Sequence, residues 1–329
     1  MSDIKLLRRR RFQRGLGWNA FNRFIRNPQG VVGLGIVLFF LFVAIFADRI
    51  APYSVLHTDF SENNLPPFWM NDPVFGTKGD PRHILGTAVL GRDIFSWAIY
   101  GTRTSMLLGV VTAPIVALIG CMIGLSAGYL GGRVDNLIMR ITDVFYSFPS
   151  ITIYILIVMI LKNYPAGGWL GGLFTFFLAF MIVGWASVAR LVRAEVIKVK
   201  ELQFIEAARS LGLKGWNIAF RHILPNAISP ILIWISFSVP QFILTEAILT
   251  YLGIGIGSVN MSEVFFITSW GGMFLEGRLL INSKPIMTIV PTVCVAAVSL
   301  GFTFVGDALR DALDPLQMQF NQRRPALDR

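Results

Sequence analysis

The stretch Glu-Ala-Ala-Arg-Ser-Leu-Gly-Leu-Lys-Gly-Trp-Asn-Ile-Ala-Phe-Arg-His-Ile-Leu-Pro, residues 206–225, decides how the rest of the chain is arranged. It lies between two long apolar runs, yet it carries charges, helix-forming residues and two glycines. Gly212 and Gly215 predict a sharp turn between short helices rather than a slack connection. We therefore expect an ordered surface on which a partner docks.

The composition on either side of this stretch indicates a membrane protein. Of the 329 residues, 54% are hydrophobic and only 15% are charged, whereas soluble domains carry about 25% charged residues. Six apolar runs are long enough, or nearly so, to cross about 30 Å of hydrocarbon as helices. They are residues 31–47, 106–129, 148–161, 173–188, 227–252 and 286–305. We expect an all-α protein with six transmembrane helices, in which the short third run takes its first turn from Val144 and Phe145.

The positive charge of the chain is distributed as a topology signal. The net charge is +10, and 21 of the 29 Lys and Arg residues fall in segments that are cytoplasmic if the N-terminus is cytoplasmic. This bias satisfies the positive-inside rule and places both termini in the cytoplasm. Nucleic acid is not an expected partner, because binding it requires one contiguous basic surface facing water.

These features predict the following organisation of the chain. In order, the segments are a basic cytoplasmic arm (1–30), the first span (31–47), an extracytoplasmic flap (48–105), a core of spans two to six (106–306) and a cytoplasmic tail (307–329). The core contains a cytoplasmic loop (190–226). Trp18, Phe21 and Ile25 share one helical face of the arm, which predicts a helix lying in the membrane interface; a disordered basic tail is the alternative.

His57 and His83 in the flap are expected to be loop or surface histidines rather than metal ligands, since neither has clustered ligands beside it.

Three glycines in the second span predict a close helix–helix contact. Gly120, Gly124 and Gly128 recur every four residues, and small residues at this spacing let helix backbones approach closely in lipid.

Three ionisable residues are candidates for the transport pathway or its gate. Arg140 and Asp143 lie in an amphipathic segment at the cytoplasmic edge, where they either line the inner mouth or anchor a helix end by ion pairing. Glu246 is the one acidic residue within the six apolar runs. Its depth, about 27 Å from the cytoplasmic start of the fifth run, is compatible with a solvated group at the outer interface or with a polar gate or packing group.

The chain lacks the residues that would let it supply its own energy. It contains no Gly-Lys dipeptide, so it has no phosphate-cradling Gly-x-x-x-x-Gly-Lys-Ser/Thr loop. Ion-coupled carriers bury several paired acids, histidines or arginines within their spans, and this chain buries almost none. We expect a non-enzymatic, gated pathway driven by another protein. A stand-alone secondary carrier or channel is the competing class.

Several motifs together resemble one family. Glu206-Ala207-Ala208, Gly212 and Ile223-Leu224-Pro225 resemble the Glu-Ala-Ala loop of the permease subunits of bacterial ATP-binding-cassette (ABC) importers. Further similarity is to the C-type permeases of dipeptide, oligopeptide and nickel importers. It is carried by Leu90-Gly91-Arg92-Asp93, Gly128 to Asp135, Ser269-Trp270-Gly271 and Gly306 to Pro315, and covers residues 18 to 315.

The resemblance implies a type I importer permease in a bacterial cytoplasmic membrane. The partners it implies are a homologous second permease, two cytoplasmic ATP-binding subunits that hold ATP and Mg²⁺, and an extracytoplasmic substrate-binding protein. The chain itself is implied to hold no cofactor or metal. The residues implied to contact the ATPase are Glu206, Ala207, Ala208, Leu211, Gly212, Trp216, Phe220 and Pro225. Peptides are the expected cargo, with nickel or another small solute as the alternative.

Overall fold

The computed structural model of the chain describes residues 18, 20–54, 56–71, 76–162, 172–213, 215–255 and 268–313. Within these ranges the chain is helical apart from turns, two isolated bridges and the flap segment 51–93, whose described residues form loops with two 3-10 turns, Phe60–Glu62 and Val89–Gly91. The helices are α1 (20–26), α2 (Pro28–Ile45), α3 (Ala47–Ile50), α4 (Ile94–Leu130), α5 (Gly132–Tyr146), α6 (Ser150–Lys162), α7 (Leu173–Lys200), α8 (Gln203–Ser210), α9 (Gly215–Ile218), α10 (Leu224–Leu249), α11 (Trp270–Gly277) and α12 (Ile286–Leu313). Two π-helical turns, Ala219–Ile223 and Thr250–Ile254, flank α10.

Five helical segments in the described ranges are long and apolar enough to cross a membrane, and a bent pair raises the count to six. The five are built on α2, α4, α7, α10 and α12, and the pair is α5 with α6, which meet at 89°. The all-helical, six-span prediction is confirmed on that reading. One detail was wrong: Val144 and Phe145 belong to α5, beyond the bend, so they add no continuous turn to the third span. The helical pattern breaks because Pro149 restricts the residue before it.

The second span begins well before its apolar run. α4 starts at Ile94, so residues 94–105, assigned above to the flap, are its first turns. Asp93 caps this helix, its carboxylate accepting a hydrogen bond from the amide of Ser96 at 2.7 Å. Arg103 is buried inside α4, where its guanidinium donates to the carbonyl of Ala44 at 3.1 Å and to the carboxylate of Asp48 at 2.7 Å. The apolar run that begins at residue 106 therefore marks the start of this helix too late, because it excludes the paired Arg103.

The three glycines of α4 form its contact with α7, which is the most extensive helix contact in the described chain. A Cβ atom on Gly120 would lie 2.4 Å from Cβ of Val188, and one on Gly124 would lie 2.4 Å from the carbonyl oxygen of Ala189. No side chain fits at these distances without moving the backbone. The predicted close helix contact is confirmed.

The first and last spans also pack together, and α1 is attached to them. A Cβ atom on Gly33 of α2 would lie 2.7 Å from the carbonyl oxygen of Gly301 of α12. Phe24 of α1 is buried against Ala308 and Ala312 at the end of α12. The opposite face of the arm is apolar and open, with Trp18, Phe21 and Ile25 at least half exposed.

Some predicted segments lie outside the described residues. They are the N-terminal part of the basic arm (1–17), the end of the tail (314–329), and residues 256–267 in the connection between the fifth and sixth spans.

Gly124→Leu should destabilise the bundle, because the added side chain overpacks the contact with α7. We expect the free energy of unfolding to fall by about 1–3 kcal/mol. Gly35→Leu is the matched control, since no atom lies within 4 Å of a Cβ added there. Thermal unfolding in detergent measures both variants, and equal midpoints would contradict the assigned α4–α7 contact.

Candidate functional site

The segment between α7 and α10 folds into two short helices joined by a tight turn. At the end of α8 the amide of Gly212 donates to the carbonyl of Arg209 at 2.9 Å, and the amide of Leu213 donates to the carbonyl of Ala208 at 3.3 Å. This pair of bonds is the Schellman arrangement, which needs a left-handed residue after the helix. Gly212 has a φ angle of +74°, with open space around it. It is therefore required for its backbone conformation, as the sequence predicted.

Gly215 serves a different purpose. It belongs to α9, and a Cβ atom there would lie 2.8 Å from the hydroxyl oxygen of Tyr129 at the C-terminal end of α4. Its missing side chain lets α9 approach α4, whereas the turn itself is made at Gly212.

Buried isoleucines hold these short helices on the bundle. Ile205 of α8, Ile218 of α9 and Ile223 in the following π turn are at most 1% exposed. The helices are therefore packed elements with a defined outer surface, since each well-buried isoleucine contributes about 1.5–3 kcal/mol.

The outer surface is apolar. Leu211 is 82% exposed, and Trp216 and Phe220 are 58% and 40% exposed. The rings of Trp216 and Phe220 stack with centroids 5.4 Å apart. We call Glu206, Ala207, Leu211, Gly212, Trp216 and Phe220, which are all exposed, the docking surface. Exposed aromatic side chains on a rigid support are typical of partner contacts.

Two predicted contact residues lie off this surface. Ala208 is 6% exposed and packs inward, so the low-relief outer face expected from two alanines has only Ala207. Pro225 is exposed and stands in the first turn of α10, where its missing amide costs no helical hydrogen bond.

The predicted pathway residues on α5 lie at the end of the bundle where α5 meets α7. Asp143 accepts a hydrogen bond from Arg190 of α7 at 2.8 Å, and the Arg190 guanidinium lies 4.0 Å from the ring centroid of Tyr146. A second ion pair joins Asp135 to Arg193. Arg140 is exposed. Asp143 thus makes the kind of ion pair that the helix-anchoring alternative predicts. Arg140, the other candidate on α5, has an exposed side chain.

Glu246 is not a solvated group at the outer interface. Its side chain is fully buried, and one carboxylate oxygen, Oε1, accepts hydrogen bonds from Thr250 Oγ1 at 2.8 Å and from Ser269 Oγ at 2.7 Å. The other oxygen, Oε2, has no hydrogen-bond partner among the described residues. The solvated alternative is wrong, and Glu246 connects α10 to the start of α11.

The flap contains a buried charged cluster that the sequence prediction missed. His83 lies in a loop, as expected, but its ring is fully buried. Nδ1 lies 2.9 Å from Asp93 Oδ1, and Nε2 lies 2.8 Å from Glu62 Oε2. Ionised carboxylates only accept hydrogen bonds, so this arrangement favours the protonated imidazole, in which both ring nitrogens donate. Burial by itself would lower the pKa of His83, but the hydrogen bonds to Asp93 and Glu62 outweigh it and raise the pKa above its ordinary value.

Neighbouring residues support the cluster. Arg82 pairs with Glu62 at 2.6 Å, and the ring of Tyr53 stacks on His83 at 4.7 Å. Asp93 also caps α4, so the cluster ties the flap to the start of the second span. The helix cap could have been read from Asp93, whereas its pairing with His83 and Glu62 depends on the folding of the flap. No group of three His, Cys, Asp or Glu residues in the described ranges is arranged to hold a metal ion.

Comparison with known proteins identifies relatives along nearly the whole chain. Residues 118–318 match the family described as binding-protein-dependent transport system inner membrane components. Residues 15–67 match the N-terminal transmembrane domain of oligopeptide transport permease C.

Individual relatives are similar over most of their length. The oligopeptide transport system permease protein OppC of Bacillus subtilis (strain 168) is 35% identical, with 90% of this chain and 88% of the relative covered. The dipeptide transport system permease protein DppC of the same strain is 33% identical, with 90% and 85% covered. The glutathione transport system permease protein GsiD of Pectobacterium atrosepticum is 35% identical, with 91% of each covered.

The His83 cluster should stabilise the flap in a pH-dependent way. Because the folded-state pKa of His83 is raised, its stabilising contribution is complete below the unfolded pKa of about 6.5 and is lost as the pH rises through the folded-state value. We expect hydrogen exchange in residues 56–71, corrected for its intrinsic pH dependence, to show protection falling between neutral and alkaline pH.

His83→Gln is the control for this titration, because glutamine carries no titratable proton. It should show weaker flap protection at pH 6 and a flatter pH profile. A profile as steep as that of the unchanged chain would show that another group is responsible.

Proposed function

The chain belongs to the family of binding-protein-dependent transport system inner membrane components, and from this membership we propose that it is one permease subunit of an ATP-driven peptide importer. Family members are permease subunits of ABC importers and not themselves enzymes. The relatives named above carry oligopeptide, dipeptide and glutathione transport in their descriptions, which supports peptides as the cargo. The multiple apolar helices make the chain a multi-pass membrane protein, and we propose the bacterial cytoplasmic membrane as its location, with both termini cytoplasmic.

The docking surface carries this proposal. Leu211, Trp216 and Phe220 expose apolar area on helices whose inner side is fixed by buried isoleucines. Covering such area stabilises a complex by roughly 25 cal/mol per Å² before the costs of association. We propose that a cytoplasmic ATP-binding subunit covers it, with ATP and Mg²⁺ held on that subunit. A second copy of the ATPase would contact a homologous second permease, whose spans enclose the pathway with those of this chain.

The energy of ATP binding would reach the pathway through α8 and α9. Closure of the two ATPases moves the docking surfaces, and the spans then expose the pathway to one side or the other. Such switching requires a contact that differs in free energy between the two states. Arg140, Asp143 and Glu246 are proposed to line or control the pathway, and an extracytoplasmic binding protein is proposed to deliver substrate to the flap and the 255–285 segment.

Two other functions are tested by the same purified components. A permease of this family for nickel or another small solute would differ only in the ligand that copurifies with the binding protein. A stand-alone secondary carrier would transport substrate after reconstitution of this chain alone. Transport that needs the ATPase, the second permease and ATP supports the proposed function, and transport by the isolated chain contradicts it.

Leu211→Asp should weaken attachment of the ATPase by at least roughly tenfold, equivalent to about 1.4 kcal/mol, because a charge replaces an apolar anchor. Leu279→Asp is the matched control: Leu279 is 80% exposed, close to the 82% of Leu211, but lies between the fifth and sixth spans, on the side opposite the docking surface. Copurification of the ATPase subunits with each variant measures the effect. Equal recovery with the two variants would place the ATPase contact elsewhere.

Glu206→Lys should also reduce transport and either weaken assembly or uncouple ATP hydrolysis, because it reverses the charge in the first turn of α8. Unchanged uptake by cells that carry this variant would count against a role of Glu206 in coupling.

A further inference from the structure

The helix that leaves the docking surface ends at a buried hydrogen bond on the opposite side of the bundle. α10 begins at Leu224, directly after the π turn that carries Phe220, and its 26 residues span about 39 Å. Ile223 and Ala227 at its start are buried, so the start of α10 is packed into the bundle beside the docking surface. Glu246 lies in the last turn of this helix.

Glu246 holds the first turn of α11. Ser269 is the N-cap of α11: its hydroxyl accepts from the amide of Gly272 at 3.2 Å and donates to Glu246 Oε1 at 2.7 Å. Gly271 is required beside it, because a Cβ atom there would lie 2.8 Å from Glu246 Oε1. We call the contact between Glu246 and Ser269 the α10–α11 clasp.

α11 is in turn attached to α4 and to the flap. The indole nitrogen of Trp270 donates to the carbonyl of Ala98 at 3.2 Å, and its backbone amide donates to Ser105 Oγ at 3.3 Å. At the other end of α11, Glu276 pairs with Arg92 of the flap at 3.3 Å. α11 therefore joins the outer ends of α4 and α10 to the flap, with the clasp as the polar link to α10.

A carboxylate is a costly choice for a contact that only packs two helices. Replacing buried polar groups by apolar residues of similar volume is often neutral or stabilising. Here one oxygen, Oε2, is buried without a hydrogen-bond partner in the described chain, and an unsatisfied buried acceptor costs about 1–3 kcal/mol. This cost is accounted for if the carboxylate exchanges partners between two arrangements of α10 and α11.

We propose that Glu246 is a positioning residue that couples movement of the docking surface to the outer side of the pathway, by making and releasing the bond to Ser269 during the transport cycle. This inference rests on the proposed function, because it assumes that the docking surface is moved by an ATPase. It adds to that function the contact through which the movement reaches α11 and the flap.

Glu246→Leu and Glu246→Gln form the central test. Leucine fills a similar volume without an acceptor, so thermal stability should be unchanged or higher while the clasp is lost. Glutamine keeps an acceptor oxygen, so the clasp should persist. In the complete transporter reconstituted with ATPases, second permease and binding protein, we expect Glu246→Leu to lower substrate transported per ATP hydrolysed by about fivefold or more, the usual lower range of an allosteric coupling. For Glu246→Gln, the substrate transported per ATP hydrolysed should stay within about twofold of the value for the unchanged chain, which is clearly smaller than the fivefold loss expected for Glu246→Leu.

Ser269 provides a second comparison within the same network. Ser269→Ala removes the donor from α11, whereas Thr250→Val removes the other donor to the same oxygen without touching α11. We expect Ser269→Ala to lower the coupling ratio as Glu246→Leu does, Ser269→Thr to restore it, and Thr250→Val to leave it near that of the unchanged chain.

The outcomes separate this inference from the proposed function. If ATPases do not copurify with the unchanged chain, the proposed function itself fails. If they do, and Glu246→Leu or Ser269→Ala transports as much substrate per ATP as the unchanged chain, the clasp does not transmit movement. An equal loss in Glu246→Gln and Glu246→Leu would overturn the role of the hydrogen bond.

Discussion

The direct contact between the backbones of α4 and α7 is the constraint on which the rest of the structure depends. Gly120 and Gly124 leave no room for a side chain between the helices, so the two backbones are in direct contact. α7 leads into α8 at its C-terminal end, and α4 ends beside α9 at Tyr129. Lys200 strengthens this corner by donating to the carbonyl of Tyr129 at 2.8 Å. The docking surface therefore adjoins the most extensive helix contact in the described chain.

Two buried charged side chains, Arg103 and His83, are stabilised by partners distant in sequence. Arg103 pairs with Asp48 across the first connection, and His83 bridges two carboxylates within the flap. Lipid offers no hydrogen bonds to replace such partners. Because of these pairs, charged residues can lie at the ends of spans, where they attach the flap and α3 to α4. A charged residue in the sequence therefore need not mark the end of a span.

The sequence predicted what periodicity and local backbone chemistry determine. The apolar runs located the spans, the four-residue glycine spacing located the α4–α7 contact, and Gly212 located the turn after α8. The start of α4, the burial of His83 and the surroundings of Glu246 were not predicted correctly. The start of α4 has a local signal, the cap residue Asp93, that was not used. The burial of His83 and the partners of Glu246 depend on residues that only the folded chain brings close, and a single sequence contains no signal for such pairings. The inward position of Ala208 was missed for a related reason, since the side of α8 that packs inward is decided by Ile205 and its contacts.

The helices also differ in how readily they can deform, and this difference matches the proposed division of roles. α7 runs from Leu173 to Lys200 without an internal proline. α10 contains Pro230 and Pro240 and is bounded by π turns at both ends, and each internal proline removes a backbone hydrogen bond and favours bending. α4 and α12 contain one internal proline each, Pro114 and Pro291, so among the long helices α10 has the largest number of such positions. α10 also links the docking surface to α11, and under the proposal above it bends against the glycine contact between α4 and α7 while Glu246 moves at its far end.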